Sequence, residues 1–278
     1  MTDAEQTRAA GASGDGAAAD RHFGEEGARL TYGSYLRVQE LLDQQRLESD
    51  PPAHDELLFI TIHQVYELWF KQLLHELGAV REEMFSGHLW RARHLLGRVV
   101  SIEDVLIRQV GVLETMTPQD FLVFRDRLAP ASGFQSVQFR ELEFLSGAKD
   151  PGYLERFRGL TADERARLEL RLEEPSLWDA FLHVVRRAGL QADDDEQLTA
   201  SMLTVAANRP RYGEVWELAE RLLDHDANAA MWRSRHVLMV ERQIGTKSGT
   251  GGSSGSPYLR SRLGLHYYPL LWELRSHL

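Results

Sequence analysis

The amino-acid sequence predicts an all-α protein. Long runs place apolar side chains three and four residues apart, which is the spacing that lines one face of a helix. No stretch shows the alternation of apolar and polar residues typical of strands, and no segment repeats at a fixed period. At 278 residues, with 43% hydrophobic residues, the chain is long enough to bury a substantial core.

Composition argues against several classes of function. With 32 basic and 42 acidic residues the net charge is −10, so nucleic acid or an anionic membrane is not expected as the main partner. The absence of cysteine rules out disulfides, iron–sulfur clusters, cysteine nucleophiles and a thiolate ligand to iron. No apolar run approaches the roughly 18 residues of a membrane helix, and the N-terminus lacks a signal-peptide core. We therefore expect a cytoplasmic protein.

The N-terminal part of the chain changes character near residue 28. Residues 1–28 are rich in Ala, Gly, Asp and Glu with almost no large apolar side chains, which predicts a disordered leader. A single all-α domain is expected over residues 29–278. Its first short helix is predicted around Leu36, Leu41 and Leu42, and Pro51-Pro52 ends that segment.

The segment from His54 to Leu77 predicts a central helix. It is apolar on most sides, and Asp55 is placed to cap its start. Four side chains share one face by their three- and four-residue spacing: Phe59, His63, Tyr66 and Phe70. His63 is therefore predicted to lie within an aromatic stripe.

A second long helix is predicted from about Leu89 to Leu113. Its buried stripe consists of Leu95, Leu96, Val99, Ile102, Leu106, Val110 and Leu113.

Thr117-Pro118 predicts the start of a third helix, with the threonine as N-cap and the proline in the first turn. On this helix Phe121 and Arg125 are four residues apart and so point the same way. An aromatic ring beside an arginine suits an amphiphilic anion. The alternative is that Arg125 pairs with a surface carboxylate such as Asp120 or Asp126.

Three further helices are predicted in the middle of the chain. One covers Val137 to Leu145, behind a turn that contains Pro130 and Gly133. Thr161 and Glu164 form the pattern of a capping box, which opens a charged helix to about Glu173. Another helix is predicted from Leu177 to Ala188.

The C-terminal third begins with an acidic stretch, Asp193-Asp194-Asp195, which we interpret as an exposed linker. A helical run follows from about Arg211 to Ile244, and its length leads us to expect a break near the polar Asp224 to Asn228. The aromatic segment Leu265 to Leu278 is expected to pack back onto the bundle.

The strongest candidate for a metal ligand is His236. It lies among apolar neighbours on a predicted helix that runs into the glycine-rich segment from Gly245 to Gly255. A histidine in this setting can hold a metal ion rigidly, and the glycine segment can cover a site. A packed core histidine and a plain connector are the alternative interpretation.

Two rival interpretations use other features. His54 and Glu56 with His63 have the residue types of a two-histidine, one-carboxylate iron site, but residues two apart at a helix start point to different sides. In the other, the chain is a non-catalytic helical scaffold whose aromatic residues are simply core.

Seven blocks of sequence resemble the tryptophan 2,3-dioxygenase family. They occur in order from about Leu30 to the C-terminus: Leu30-Thr31-Tyr32-Gly33-Ser34-Tyr35-Leu36, His54-Asp55-Glu56-Leu57-Leu58-Phe59-Ile60, His63-Gln64 with Glu67-Leu68-Trp69, Leu113-Glu114-Thr115-Met116-Thr117-Pro118, Phe124-Arg125-Asp126, Ser132-Gly133-Phe134-Gln135-Ser136, and Gly249-Thr250-Gly251-Gly252-Ser253-Ser254-Gly255.

The resemblance implies a helical bundle that binds haem (heme b) and assembles as a homotetramer. By position His236 matches the proximal haem ligand, His63 the distal histidine that meets the indole N–H, and Ser132 a residue close to haem and substrate. The implied substrate-binding residues are Phe59 and Phe121 in the indole pocket, Arg125 at the substrate carboxylate, Thr250 at the amino-acid head group, and Tyr32, Tyr35 and Leu36, which would reach into the neighbouring subunit's site.

The implied reaction is the opening of the indole C2–C3 bond of L-tryptophan by O2, which gives N-formyl-L-kynurenine. Phe121 lies where some bacterial members carry tyrosine, and Val110 where an aromatic residue is often found, so tolerance for substituted tryptophans stays open. The alternative within the same scaffold is a haem-dependent monooxygenase that yields a 2-oxindole.

Overall fold

The structure is a computed structural model that describes residues 30–157, 159–252 and 254–278. The leader predicted over residues 1–28 lies outside these ranges. Within them all regular elements are helices, which confirms the all-α class. The chain divides into two units between Arg46 and Leu47, and the single domain expected over residues 29–278 stays a prediction.

The described part of the first unit contains two short helices, α1 (Tyr32–Leu36) and α2 (Val38–Leu42). Thr31 caps α1 by accepting a hydrogen bond from the Ser34 N–H at 3.2 Å. Arg37 separates the helices because its φ of 51° is left-handed.

The second unit forms the bundle. Its helices are α3 (His54–Ser86), α4 (Leu89–Leu113), α5 (Pro118–Arg125), α6 (Val137–Ser146), α7 (Gly152–Arg156), α8 (Ala162–Glu173), α9 (Leu177–Arg187), α10 (Asp195–Ala207), α11 (Arg209–Ile244), α12 (Ser256–Ser261) and α13 (Pro269–Glu273). Short 3-10 turns lie at Asp126–Leu128, Gly133–Gln135 and Leu274–Ser276.

α4 packs against both α3 and α11, and these three longest helices enclose most of the core. α6 and α9 lie against α3, and α10 lies against α11. A separate group of buried residues lies between α6, α7 and α8, and we call it the small cluster: Val137, Phe144, Tyr153 and Leu168. In the part of the chain that the structure describes, no helix is both long and apolar enough to span a bilayer.

Several predicted features are confirmed. α4 has the predicted bounds, and every member of its predicted stripe is buried. Thr117 caps α5 by accepting a hydrogen bond from the Asp120 N–H at 3.2 Å. Thr161 and Glu164 form the expected capping box at α8.

The predicted cap at the start of the central helix is wrong. The N-cap of α3 is Ala53, and Asp55 lies within the first turn. Hydrogen bonds from the preceding loop hold this helix start instead, because the Ala53 N–H donates to the Ser49 Oγ at 2.8 Å and Glu56 accepts from the Glu48 N–H at 2.8 Å. α3 also continues beyond Leu77 to Ser86, since Val80 and Met84 extend its buried face.

The acidic stretch is exposed as expected, but it is more than a linker. Asp194 is the N-cap of α10, where its carboxylate accepts a hydrogen bond from the Gln197 N–H at 2.8 Å. The helix that follows was not predicted, and it buries Leu198, Met202 and Val205.

The expected break in α11 near residues 224–228 is absent. The helix runs through this stretch, and its one non-helical residue is Tyr212 near the start. His225, Asp226 and Asn228 are buried rather than solvated, and each has a hydrogen-bond partner on another segment. Local polarity was therefore misleading, because these side chains find hydrogen-bond partners on other segments inside the bundle.

Asp226 attaches the C-terminal segment to the bundle. Its Oδ2 accepts hydrogen bonds from the backbone N–H groups of Tyr267 and Tyr268, at 2.9 and 3.1 Å, and from the Trp272 indole N–H at 2.9 Å. The expectation that residues 265–278 pack back onto the bundle is confirmed by these contacts.

Substitution of Asp226 should destabilise the fold severely. Asp226→Ala leaves three N–H donors without this acceptor, two of them buried and one part-buried, which should lower the free energy of unfolding by roughly 3–5 kcal/mol. Urea denaturation followed by circular dichroism measures the loss. Asp224→Ala is the matched control, because that carboxylate pairs only with Arg221 on the surface, and it should cost less than about 1 kcal/mol. Equal effects of the two variants would contradict the assigned role.

Candidate active site

Aromatic side chains from α3 and α5 form one wall of the candidate site. The Phe59 ring lies 4.1 Å from the His63 ring and stacks on Phe121 at 5.6 Å between centroids. Phe124, which is fully buried, contacts both phenylalanines edge-on at 5.7 and 5.5 Å. Of the predicted residues, Phe59 thus contacts both His63 and Phe121, and the three rings form an aromatic surface of the kind that an indole ring can contact.

His63 presents a defined tautomer. Its Nδ1 lies 2.7 Å from the backbone carbonyl oxygen of Phe59. A carbonyl can only accept, so Nδ1 carries the proton and Nε2 is left with a free lone pair. Burial lowers the pKa of His63, although the Phe59 hydrogen bond and the charge of Glu67 act in the opposite direction. The ring is therefore neutral near pH 7 and offers an acceptor.

His236 lies on α11 behind a stacked tryptophan. Trp232, one helical turn earlier, is parallel to the imidazole within 6° at a centroid distance of 5.0 Å. Neither ring nitrogen of His236 makes a hydrogen bond to any residue that the structure describes. Burial, and next the charge of His63, lower the pKa of His236 to about 4. His236 is thus neutral, free to bind a metal ion, and close enough to His63 for electrostatic coupling.

Arg125 is largely buried without a strong carboxylate partner. Its side chain is 13% exposed, and its Nη2 donates to the backbone carbonyl of Ser248 in the glycine-rich segment. Asp126 is 94% exposed and 3.9 Å from Nη1, so that pair is weak. A surface ion pair therefore does not explain why the Arg125 side chain is buried. The guanidinium still has N–H donors that can bind an anion.

The glycine-rich segment packs directly on the turn that contains Ser132. The Thr250 hydroxyl donates to the Ala131 carbonyl at 2.6 Å. A Cβ placed on Gly251 would lie only 2.5 Å from the Ser132 Cβ, so the two backbones approach too closely for any larger residue at 251. Thr250 and Ser132, which are predicted site residues from distant parts of the chain, are thereby brought together.

The Ser132 hydroxyl also caps the Gly133–Gln135 turn. It accepts a hydrogen bond from the Phe134 N–H at 3.3 Å, while the Gln135 side chain accepts from the Ser132 N–H at 3.2 Å. The hydroxyl proton is not used in this cap, so Ser132 can still donate.

The remaining predicted residues belong to α1 and are exposed in the single chain. Tyr32 is 79% exposed, Tyr35 71% and Leu36 45%. Val110, in contrast, is buried in the core beside α3 and α11.

The rival iron site is not assembled. The His54 side chain is fully exposed, and both carboxylate oxygens of Glu56 accept hydrogen bonds from the loop of residues 48–49. Among the described residues no group of three or more acidic and histidine side chains is arranged to hold a metal ion.

Sequence reasoning missed the support around His236. Trp232 contacts Tyr66 at 6.1 Å and Phe139 at 5.1 Å, so the tryptophan is held between α3 and α6. The four-residue spacing of Trp232 and His236 was the available signal. A cavity of about 40 Å³ has Trp232 in its lining together with Glu103, His225 and Arg233, and it has room for only one or a few water molecules.

Fold and site together define an all-α protein with an aromatic wall that includes a neutral, half-buried histidine, a second such histidine on α11, and an arginine at the end of α5 that can still bind an anion. The model of the tryptophan 2,3-dioxygenase family matches residues 15–200 and 183–278. The chain belongs to this family, which confirms the resemblance read from the sequence.

Curated relatives agree over nearly their whole length. A tryptophan 2,3-dioxygenase of Nocardioides sp. is 69% identical over 260 residues, which cover 92% of this chain and 97% of that protein. The enzyme of the same name from Herpetosiphon aurantiacus is 47% identical, with 90% and 98% coverage. That of Myxococcus xanthus is 42% identical, with 90% of each chain covered.

Proposed function

We propose that this protein is a haem-dependent dioxygenase that opens the indole C2–C3 bond of L-tryptophan with O2 and yields N-formyl-L-kynurenine. The observation that carries this proposal is a combination of two half-buried, neutral histidines: His63, whose ring contacts the stacked pair of Phe59 and Phe121 through Phe59, and His236, which stacks on Trp232. Membership in a family whose relatives carry the name of this activity supports it further.

Haem b fits the residues that are present. A neutral imidazole with an unshared lone pair is the ligand that haem iron requires on its protein side, and His236 has that state and no competing hydrogen bond within the described chain. When bound, haem would supply the redox-active iron that activates O2. His236 would be its only protein ligand, and the turn at Ser132 would lie close to it.

The indole would bind against Phe59 and Phe121, with its N–H donated to the free Nε2 of His63. This hydrogen bond orients the indole ring and holds the indole proton against the Nε2 of His63. It does not require full deprotonation of the indole, because an electron-rich indole can react with an electrophilic oxygen while its N–H stays in place. The aromatic wall would also exclude water from the reacting bond.

The amino-acid head group would bind at the junction of α5 and the glycine-rich segment. The guanidinium of Arg125 offers a two-pronged donor that matches a carboxylate, and Thr250 lies on the segment that Arg125 already contacts.

Assembly as a homotetramer is part of the proposal. The large exposed side chains of α1 support it, because Tyr32, Tyr35 and Leu36 would be covered where they reach a neighbouring subunit's site. Apolar side chains seven residues apart are also exposed on two packed helices, at Val105 and Val112 of α4 and at Met231 and Leu238 of α11. A cytoplasmic location stays a prediction of the sequence.

Loss of His236 should abolish haem binding. His236→Ala removes the only proposed iron ligand, so the purified protein should retain a small fraction of the wild-type haem per chain. Absorbance at the Soret band and pyridine haemochrome analysis measure this. His183→Ala, which removes a ring that packs on Phe85 away from the site, should bind haem normally. An unchanged Soret band and stoichiometry in His236→Ala would refute the assignment.

Removal of the arginine should weaken substrate binding without affecting haem content. Arg125→Ala leaves the substrate carboxylate unpaired, which should cost on the order of 2–5 kcal/mol in binding. Tryptamine, which lacks the carboxylate, should be a poor substrate for the wild type. Arg127→Ala, at an exposed arginine two residues away, is the control and should behave as wild type. Similar wild-type efficiency with tryptamine and tryptophan would contradict this role.

Isotope labelling decides the reaction type. A dioxygenase places both atoms of one O2 in the product and consumes no net electrons, so ferrous enzyme, tryptophan and labelled O2 should give doubly labelled N-formylkynurenine over many turnovers. Mass spectrometry of the product measures the label. A singly labelled oxindole that forms only with added reductant or peroxide would instead establish the monooxygenase.

A further inference from the structure

We propose that Phe134 is a positioning residue that holds the Ser132 turn against the Thr250 segment and thereby sets the preference for substrates that carry an amino-acid head group. The inference deepens the proposed function, because it rests on the roles given there to Ser132, Arg125 and Thr250.

The glycine-rich segment is closed at its base. Ser256 donates through its hydroxyl to the Gly245 carbonyl at 3.4 Å, and a Cβ on Gly255 would lie 2.4 Å from the Lys247 carbonyl oxygen. The segment therefore leaves α11 and returns to α12 at nearly the same place. Its tip, residues 248–252, is the part that contacts Arg125 and the Ser132 turn.

Phe134 joins the two sides of this arrangement. Its ring meets the Tyr258 ring edge-on at 5.1 Å, and Tyr258 lies on α12, just after the base of the segment. Its backbone N–H is bonded to the Ser132 hydroxyl at 3.3 Å. One residue thus contacts both the Ser132 turn and the helix that anchors the Thr250 segment.

The ring of Phe134 packs against the small cluster. The Tyr153 hydroxyl donates to the Phe134 carbonyl at 3.1 Å, and the guanidinium of Arg140 lies 5.4 Å from the Phe134 ring and 4.6 Å from that of Tyr153. Arg140 is buried and paired with the buried Glu143, so this cation has little freedom to move.

The consequence for recognition follows from geometry. Among the described residues, the segment tip meets the Ser132 turn through the hydrogen bond from Thr250 to Ala131 and the close approach of Gly251 to the Ser132 side chain. The Phe134–Tyr258 contact is an independent second link, and its loss should let Thr250 and Ser132 shift relative to Arg125. The indole wall of Phe59, His63 and Phe121 is built from other elements and should stay in place.

The test compares two substrates on haem-loaded, full-length protein. Phe134→Leu keeps the bulk and removes the ring, and it should raise KM for L-tryptophan about tenfold while kcat stays within about twofold of wild type. The efficiency with tryptamine should be unchanged, so the preference for tryptophan over tryptamine should fall about tenfold. A variant that merely loosened the fold would lower both activities together.

Matched variants separate positioning from packing. Phe157→Leu removes a neighbouring ring that packs on Phe134 and stacks on Tyr153 at 5.5 Å. Phe157 is not in ring contact with Tyr258, so this variant should keep the wild-type preference for tryptophan over tryptamine. Tyr258→Leu should reproduce the effect of Phe134→Leu, Tyr258→Phe should restore the preference, and the double leucine variant should add nothing. If Phe134→Leu does not accumulate as folded protein, Tyr258→Leu carries the same comparison, because Tyr258 is partly exposed.

The outcomes are distinct. An unchanged preference in both leucine variants, or the same loss in Phe157→Leu, would overturn the role of Phe134. Equal wild-type efficiency with the two substrates would instead overturn the proposed head-group site itself, whatever the variants do.

Discussion

The candidate site depends on the desolvation of two half-buried imidazoles that carry no charge. Removing a histidine from water disfavours its protonated form, and at His236 the charge of a protonated His63 would disfavour it further. The aromatic rings of Phe59 and Trp232 complete the desolvation. A neutral His236 can bind iron, and a neutral His63 can accept a hydrogen bond. Desolvation thus gives both histidines the uncharged state that their two different proposed roles require.

The helix that carries His236 does not break at its polar stretch. α11 keeps its helical hydrogen bonds through Asp224–Asn228 because the polar side chains there bond to α4, α6 and the C-terminal segment. His225 lies between Glu103 of α4 and Ser146 of α6, at 2.6 and 2.9 Å. These bonds fix the rotation of α11 about its axis two to three turns before His236. The buried polar side chains of residues 225–228 thus set the direction in which α11 presents His236.

The regular elements followed from the sequence wherever one face of a helix is apolar and its ends carry caps. α4 was predicted to the residue because its stripe can be buried in only one way. α10 was missed although Leu198, Met202 and Val205 have helical spacing, because the composition of the acidic run before it favours a linker and does not reveal that Asp194 caps a helix.

The break predicted in α11 was wrong because polarity along the chain does not reveal whether a polar side chain finds a buried partner. The contacts of Arg125 with Ser248 and of Thr250 with Ala131 join residues 123 and 119 positions apart, and hydrophobic periodicity contains no information about such long-range polar contacts.

The two ends of a tryptophan molecule would meet parts of the chain that are stabilised differently. Side chains on long packed helices are held by burial, whereas the head-group residues depend on a few hydrogen bonds and ring contacts between loops. Arg125 belongs to both parts of the site, because it ends α5 beside the aromatic wall and also donates a hydrogen bond to the glycine-rich segment. Its planar guanidinium has five N–H donors and the Ser248 carbonyl occupies one side of it, so a carboxylate can bind the remaining donors without displacing the segment. A substrate bound in this way would lie against both the wall and the segment, so selectivity for the ring and for the head group would be set by different residues and could change independently.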